Sequence, residues 1–470
     1  MPTEIRMTSI FVFHSPSHGN RMSQTTENGL IQSGPVLSTF ARYALPSILG
    51  LLAITTASIV DGIFVGHFVS SNGLAAINLL IPYLTLAFGF ALMIAIGGAV
   101  RCGHFLGQSM AEKASSILSK CLAAVLIVGI SFMLLSWWQD KTILRLLGTP
   151  DSLLSLILPY FHVISVVLVV QIFTMVLYYF VRQDNGQKLG TIALVTGALM
   201  NIVLDSLFIV YLDMGLLGAA WATAIAQAVQ LLILMRYFLR KKRLLFWSWP
   251  GDWAEFRHIS FNGLSEFINE ISGGLVILLL NWVLVTQLNV DGIAAFAVIN
   301  YMIFVSLMLY YGIADALHLL VSHNHGAGNP QRITQFLFTA IAMVLLISLG
   351  MTLVLLLWPQ SLTELFLNEA AQGTSELSLH FVQLVWPLFL INGVNVILSI
   401  YLTAMQKPKP SMLIAMSRGL VLPVGLLLLF TLLLSSPMFL VALPLAEWLT
   451  FILAAFLCWR YRPAKLIPVN

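Results

Sequence analysis

The chain has 470 residues, of which 59% are hydrophobic and 9% are charged, and its mean hydropathy is +0.93. Soluble globular domains carry about 25% charged residues, so this composition excludes that class and indicates a polytopic membrane protein. The formal net charge of +4 reflects the placement of basic residues around predicted membrane helices and gives no argument for a nucleic-acid partner.

Residues 1–38 are polar, and their apolar patch at residues 10–13 is too short for the core of a signal peptide. We expect them to form a disordered cytoplasmic tail. A start codon placed too far upstream is the alternative explanation for this segment.

Twelve apolar runs follow that are long enough to cross a bilayer, because about 20 helical residues span its hydrocarbon core. They lie near residues 40–68, 75–99, 116–138, 153–180, 189–212, 215–239, 259–288, 292–322, 333–358, 379–405, 410–434 and 437–459. The predicted fold is therefore all-α. A basic, Trp-rich linker at residues 241–258 separates two six-helix lobes, expected at residues 39–240 and 259–460. Residues 461–470 are expected to form a second cytoplasmic tail.

The basic residues orient this bundle. All of the 23 Lys and Arg residues except Lys141, Arg145 and Arg418 fall in or beside the termini and the even-numbered connections. Because positive residues near helix ends stay on the cytoplasmic side, both termini are predicted to be cytoplasmic. The three cysteines lie near helix ends on that same side, where thiols stay reduced, so no disulfide or metal framework is predicted.

The two halves are related by an internal repeat. The sequence of residues 73–76 recurs at residues 292–295, and residues 103–107 are echoed at residues 322–326, so both pairs share one offset along the chain. Since each copy holds six helices, both enter the membrane from the same side. We expect two lobes related by an axis along the membrane normal, with the substrate site between them.

Asp61 stands in the middle of the first apolar run, and Asn201 and Asp205 lie one helical turn apart in the fifth. An ionisable residue near the bilayer centre costs about 2.5–3.5 kcal/mol, so such residues usually serve transport. The repeat offset places Leu280 opposite Asp61 and brings no acid opposite Asp205. The sequence therefore predicts a cation or proton site in the first lobe alone, with a purely structural polar contact between helices as the alternative.

A second group of side chains forms candidate contacts for substrate or protons: Glu266, Glu270, Asp315, His318, Tyr178 and Met200. The two glutamates share a face of helix seven, although interfacial acids would follow the same pattern. Asp315 and His318 are three residues apart and suit either a proton relay or a plain polar contact. Aromatic rings and Met attract varied organic cations, but core or lipid-facing roles are the alternative. Arg418 is expected to pack against carbonyl groups or to snorkel.

Four segments, in this order along the chain, resemble the multidrug and toxic compound extrusion (MATE) family, and its bacterial DinF/MepA-like branch in particular: Val60–Gly66, Arg182–Lys188, Asn201–Thr223 and Asn324–Asn329. The similarity covers residues 40–460. It implies a V-shaped pair of lobes around a central cavity, in a bacterial inner membrane, that exports organic cations in exchange for protons or sodium.

The resemblance also implies which residues form the coupling site, namely Asp61, Asn201, Asp205 and Thr223. Their oxygens could jointly coordinate sodium, and no other cofactor or metal is expected. Family members often carry a Tyr one turn before the helix-one Asp, and Ala57 stands there in this chain. The expected partners are small organic cations and the lipid bilayer, without an obligate protein partner, and the expected state is a monomer.

Other functions within reach of this fold are less consistent with the sequence. A lipid-linked sugar flippase of the same superfold would favour a basic cavity, and only Arg418 lies deep in a predicted helix. A membrane-embedded enzyme would need a catalytic constellation. His323 and His325, the nearest to one, lie in a predicted loop at a spacing that does not share a helical face. We therefore expect a transporter and no enzymatic activity.

Overall fold

The computed structural model describes residues 30–366 and 372–467. In that part of the chain twelve helices are long and apolar enough to cross a membrane: α1 (Val36–Val69), α2 (Asn72–Gly107), α3 (Ala111–Trp138), α4 (Asp151–Gln183), α5 (Gln187–Tyr211), α6 (Gly215–Leu239), α7 (Ala254–Asn289), α8 (Asp291–Gly326), α9 (Pro330–Leu357), α10 (Gly373–Ala404), α11 (Pro408–Leu433) and α12 (Met438–Arg460). The all-α, twelve-helix prediction is confirmed.

Several helices continue beyond their predicted ends. α4 reaches Gln183 and α8 reaches Gly326, so the prediction that places His323 and His325 in a loop is wrong. Both histidines lie in the last turn of α8, where His323 is 2% exposed. Polar residues can end a membrane helix in this way because the facing lobe supplies their contacts, as Gln183 does for His323 at 3.2 Å.

We call the end of the bundle where α1 begins and α12 ends the terminal face, and the other end the opposite face. Residues 30–38 lie at the terminal face and are ordered, in contrast to the tail predicted for them. Ile31 is 1% exposed, and its carbonyl accepts a 2.7 Å hydrogen bond from Arg332 Nε. At the other terminus Pro463–Leu466 form a short helix, and Ile467 is 8% exposed. Residues 1–29 lie outside the described residues.

Each hydrophobic cluster takes most of its residues from one half of the chain. One cluster draws its buried residues from 65–259, and two others lie almost entirely in 280–467. The exception is the start of α1, where Phe40 packs against Phe336 of α9 with ring centroids 6.3 Å apart. The first turns of α1 therefore pack with the second lobe, although the sequence assigns them to the first.

The lobes meet along α2, α7 and α8, and their backbones approach closely at several glycines, of which Gly107 and Gly326 lie at the terminal face. A Cβ atom at Gly107 would overlap the carbonyl oxygen of His323, and one at Gly326 would overlap that of His104. These two glycines occupy equivalent positions in the internal repeat. Both close the same crossing, because only glycine lets two helix backbones come this near.

Contact between the lobes continues toward mid-membrane and then ends. The rings of Phe90 and Phe267 contact each other at a tilt, with centroids 4.9 Å apart, and Gly89 faces the Phe267 ring. Further along α7, Gly273 and Gly274 have open space where a side chain would stand. The lobes are thus closed at the terminal face and diverge toward the opposite face, which is the predicted V shape.

Candidate functional site

The carboxyl groups of Asp61 on α1 and Asp205 on α5 lie near enough to each other to interact electrostatically. Asp205 is fully buried. Asp61 lies about two turns before the end of α1 at Val69, nearer the opposite face than the mid-membrane position the sequence suggests.

No described group donates a hydrogen bond to Oδ1 of Asp61 or to either carboxylate oxygen of Asp205, and these three atoms are buried. Two adjacent carboxylates repel each other, and a proton on one of them removes that repulsion. The pair is therefore built to take up positive charge, either as a proton or as a small cation.

A widened, π-helical turn follows each of the two acids. One spans Val65–Val69 in α1, and the other spans Ser206–Tyr211 directly after Asp205 in α5. The two turns contact each other. Such turns are rare and occur mostly at functional sites. Here they set the register of both helices at the level of the acids, which makes this part of α1 and α5 a place where the helices can reorganise.

Asn201 of α5 and Thr223 of α6, the other two residues of the predicted coupling site, contact each other. Asn201 Nδ2 donates to Thr223 Oγ1 at 3.5 Å, while the Thr223 hydroxyl donates to the carbonyl oxygen of Ala219 at 3.0 Å. Thr223 is thus bonded to its own helix, and its oxygen stays available as an acceptor. Asn201 precedes Asp205 by one turn, so α5 presents both to the same cleft.

Tyr160 of α4 is a site residue that sequence reasoning missed. It is 7% exposed and close enough to both Asp61 and Asp205 to interact electrostatically with each. The position one turn before Asp61 holds Ala57, which is buried. Tyr160 therefore places a phenol within electrostatic reach of the acids from α4, whereas the resemblance implies a Tyr on α1. Nothing in the sequence signals this, since Tyr160 is one of several aromatic residues in a long apolar run.

A separate polar site joins the lobes at the terminal face. Arg182 of α4 donates from Nη1 to Asp315 Oδ2 of α8 at 2.6 Å, and their side chains are 4% and 6% exposed. Arg182 also bonds to the hydroxyls of Tyr178 and Ser47. The hydroxyl of Tyr178, a predicted substrate contact, therefore accepts a hydrogen bond from Arg182. We define the set Ser47, Tyr178, Arg182 and Asp315 as the inter-lobe lock.

The predicted Asp315–His318 relay does not form as a direct contact. Asp315 is bonded to Arg182 and, at 3.4 Å, to the hydroxyl of Tyr179. Both ring nitrogens of His318 are buried without a hydrogen-bond partner among the described residues. A void of about 10 Å³ borders Arg182, Asp315 and His318, which is the space of about one water molecule.

The second lobe contains its own buried ion pair, and here the expectation for Arg418 is wrong. Arg418 Nε donates to Glu447 Oε1 at 3.1 Å. Glu447 also accepts from Asn392 at 3.0 Å and from Asn395 at 2.7 Å. The deep arginine of the chain is thus neutralised by a carboxylate, which leaves little positive charge for an anionic substrate.

Glu266 and Glu270 lie on α7, with Glu266 5% exposed and its Oε1 atom buried without a hydrogen-bond partner among the described residues. This burial is inconsistent with a solvated interfacial acid at Glu266. Asp315 and Arg418 are close enough to Glu266 to interact with it electrostatically. Met200 is half-buried on α5 beside Asn201. The six secondary candidates therefore do not form one cluster with the Asp61–Asp205 pair.

The chain was compared with known proteins. The MatE family model matches residues 46–207 and 275–427. The multidrug export protein MepA of Staphylococcus saprophyticus is 23% identical over 399 residues, covering 83% of this chain and 86% of that protein. An FAD transporter of Shewanella oneidensis is 24% identical over 447 residues, covering 92% and 96%.

Solved structures agree on the fold. A structure described as the outward-facing conformation of a multidrug resistance MATE family transporter superposes with a TM-score of 0.86 at 20% identity. It covers 94% of this chain and 99% of that one. A MATE structure in complex with MaL6 gives a TM-score of 0.87 at 21% identity, with the same coverage.

Proposed function

Because this chain belongs to the MatE family, we propose that it is an antiporter that exports organic cations in exchange for protons or sodium ions. The observation that carries this proposal is the pair of adjacent carboxyl groups of Asp61 and Asp205, buried and without donors among the described residues. Two buried carboxyl groups need a positive counter-charge. In a transporter the coupling ion supplies that charge.

Coupling follows from the electrostatics of the pair. A proton or sodium ion that enters from the opposite face cancels the repulsion between Asp61 and Asp205 and lets α1 and α5 close on each other. The π-helical turns beside the two acids are where this movement would be absorbed. The bound ion neutralises negative charge in the first lobe. The lobe therefore holds a cationic substrate less tightly. Each inward elementary charge gains about 2.3 kcal/mol per 100 mV of membrane potential.

Alternating access requires the closed end of the V to open. When the terminal face opens to admit substrate, the helices that cross at Gly107 and Gly326 separate. The Arg182–Asp315 ion pair breaks at the same time. The pair is formed only while this end is closed, so the inter-lobe lock favours the outward-open arrangement. Ion binding from the opposite face, with the closure of α1 and α5 that it allows, must supply the energy that opens it.

The proposed setting is a bacterial inner membrane with the terminal face in the cytoplasm. The basic residues of the even-numbered connections support this orientation. We propose a monomer that acts without an obligate protein partner.

The substrate class follows from the charge of the cavity walls. The relatives include a multidrug exporter and a transporter of FAD, which is an anion. Glu266, Glu270 and the Asp61–Asp205 pair contribute acids, while Arg418 is paired with Glu447. These charges favour organic cations over flavin nucleotides and over lipid-linked sugars as substrates. We propose no catalytic role for these charged residues.

Ethidium efflux in inverted membrane vesicles tests the proposal, with a proton gradient and a sodium gradient imposed separately. We expect one gradient to drive efflux in the wild type and Asp205→Asn to reduce it at least tenfold. Asp213→Asn is the matched control, because Asp213 is exposed in the turn after α5 and its positive φ of 49° suits Asn. Efflux by Asp205→Asn at the rate of the control would contradict the proposal.

A further inference from the structure

The connection between the lobes, residues 240–253, carries basic and tryptophan side chains on the terminal face. Residues 240–242 are Arg, Lys and Lys, and all three are exposed. The exposed fractions are 59% for Trp247, 87% for Trp249 and 42% for Trp253. Three Trp side chains of one short connection are therefore exposed at the terminal face, next to its basic residues.

The backbone of this connection is fixed, so the exposure of the tryptophans is a property of the fold. The Leu244 amide donates to Asp184 Oδ2 at 2.7 Å, and the Ser248 amide donates to Ser119 Oγ at 3.0 Å. Leu245 is fully buried between these two attachments. The neighbouring Trp side chains therefore point away from the bundle because the chain is held from the inside.

The same combination occurs at the end of the second lobe. Trp459, in the last turn of α12, is 59% exposed. Lys465 Nζ lies 4.9 Å from the centroid of its ring, and Arg460 and Arg462 are exposed beside it. Both six-helix units thus end, on the same face, in exposed Trp next to clustered positive charge.

We propose that residues 240–253 bind the headgroups of anionic phospholipids in the leaflet at the terminal face. The segment begins directly after Leu239 at the end of α6, so it lies at headgroup depth. Trp side chains prefer that depth, and clustered Lys and Arg attract anionic lipid phosphates there. Asp252 offsets one of the four positive charges at residues 240–243, so the segment keeps a formal net charge of +3.

Native mass spectrometry of the full-length protein in detergent tests this site with added phosphatidylglycerol or phosphatidylcholine. In the variant Arg240→Gln/Lys241→Gln/Lys242→Gln, we expect the dissociation constant for phosphatidylglycerol to rise by about fivefold per charge removed. The matched control removes three exposed lysines from other connections on the same face, namely Lys113, Lys188 and Lys409. It should change the constant less than twofold.

Equal weakening in the two triple variants would overturn the proposal, because it would reflect general attraction to the basic face. Unchanged binding in the linker variant would also overturn it.

A second measurement addresses the position of Trp249 without removing charge. In vesicles of phosphatidylcholine with a minor fraction of phosphatidylglycerol, the fluorescence difference between wild type and Trp249→Phe isolates this residue. Lipids brominated near the headgroup should quench more than half of that difference. If acrylamide in the water quenches it and the brominated lipid does not, Trp249 faces solvent and the proposal is wrong.

Discussion

Arg182 and Asp315 form an ion pair between the two lobes, with Nη1 and Oδ2 2.6 Å apart and both side chains nearly inaccessible to solvent. Arg182 comes from α4 of the first lobe and Asp315 from α8 of the second. The pair lies at the closed end of the V, so every opening of that end must separate it. This makes the strength of the pair a determinant of which face of the transporter is open.

Removal of either charge should therefore weaken lobe closure. For Arg182→Gln we expect a loss of about 3–5 kcal/mol in stability, because Asp315 is left buried without its partner. Thermal unfolding in detergent measures this loss. The exchanged variant Arg182→Asp/Asp315→Arg should recover part of it, and no recovery would indicate that Tyr178 and Ser47 hold Arg182 independently of Asp315.

Arg145 and Asp151 provide the matched control for that prediction. They form an ion pair at 3.0 Å on the opposite face, with side chains 60% and 77% exposed. Exposed pairs contribute about 0–1 kcal/mol, so Arg145→Gln should change the unfolding temperature little. A loss equal to that of Arg182→Gln would mean that burial does not decide the effect.

The glycine crossing at the terminal face makes a second prediction. Gly107→Val places branched carbon atoms against the His323 carbonyl, so the lobes cannot close as observed. We expect a lower unfolding temperature and a larger fraction of molecules open at the terminal face, read by modification of a cysteine introduced at Ser322, which is buried against Gly103 of the facing lobe. Gly350→Ala is the control, because Gly350 has open space around it. It should be neutral or stabilising, since Ala favours helix by about 1 kcal/mol over Gly.

The Arg418–Glu447 pair makes a third prediction. Glu447→Gln removes the charge that balances Arg418, whose side chain is 12% exposed. We expect destabilisation of about 3–5 kcal/mol without loss of the ion specificity of transport, because the pair lies apart from Asp61 and Asp205. Thermal unfolding and gradient-driven ethidium efflux measure the two effects. A change in which ion drives efflux would place Glu447 in the coupling site.

The helix count follows from the sequence because it depends on local composition. Apolar runs of spanning length identify the helices, and the repeat relates Gly107 to Gly326. The inter-lobe lock could not be predicted from the sequence in this way. Hydropathy assigns Arg182 to a loop, and its partner Asp315 is far away in sequence, so neither periodicity nor the repeat connects them.

Other structural features have no recognisable side-chain pattern in the sequence. Residues 30–34 are held by Arg332 through backbone carbonyl groups, which any sequence supplies, so that segment resembles a tail in sequence. Tyr160 reaches the acid pair from α4, and only the three-dimensional packing brings it there. The acids themselves were identifiable because a carboxyl group in an apolar helix is unusual whatever its neighbours are.

The most direct test of the Asp61–Asp205 coupling site is ethidium binding to purified protein, measured by fluorescence anisotropy across pH and sodium concentration. If ion and drug compete through the acid pair, each lowers the affinity for the other by the same factor. We expect a drug dissociation constant that rises at least fivefold with one ion in the wild type and is independent of both ions in Asp61→Asn/Asp205→Asn. The same ion dependence in the double variant would contradict the coupling site.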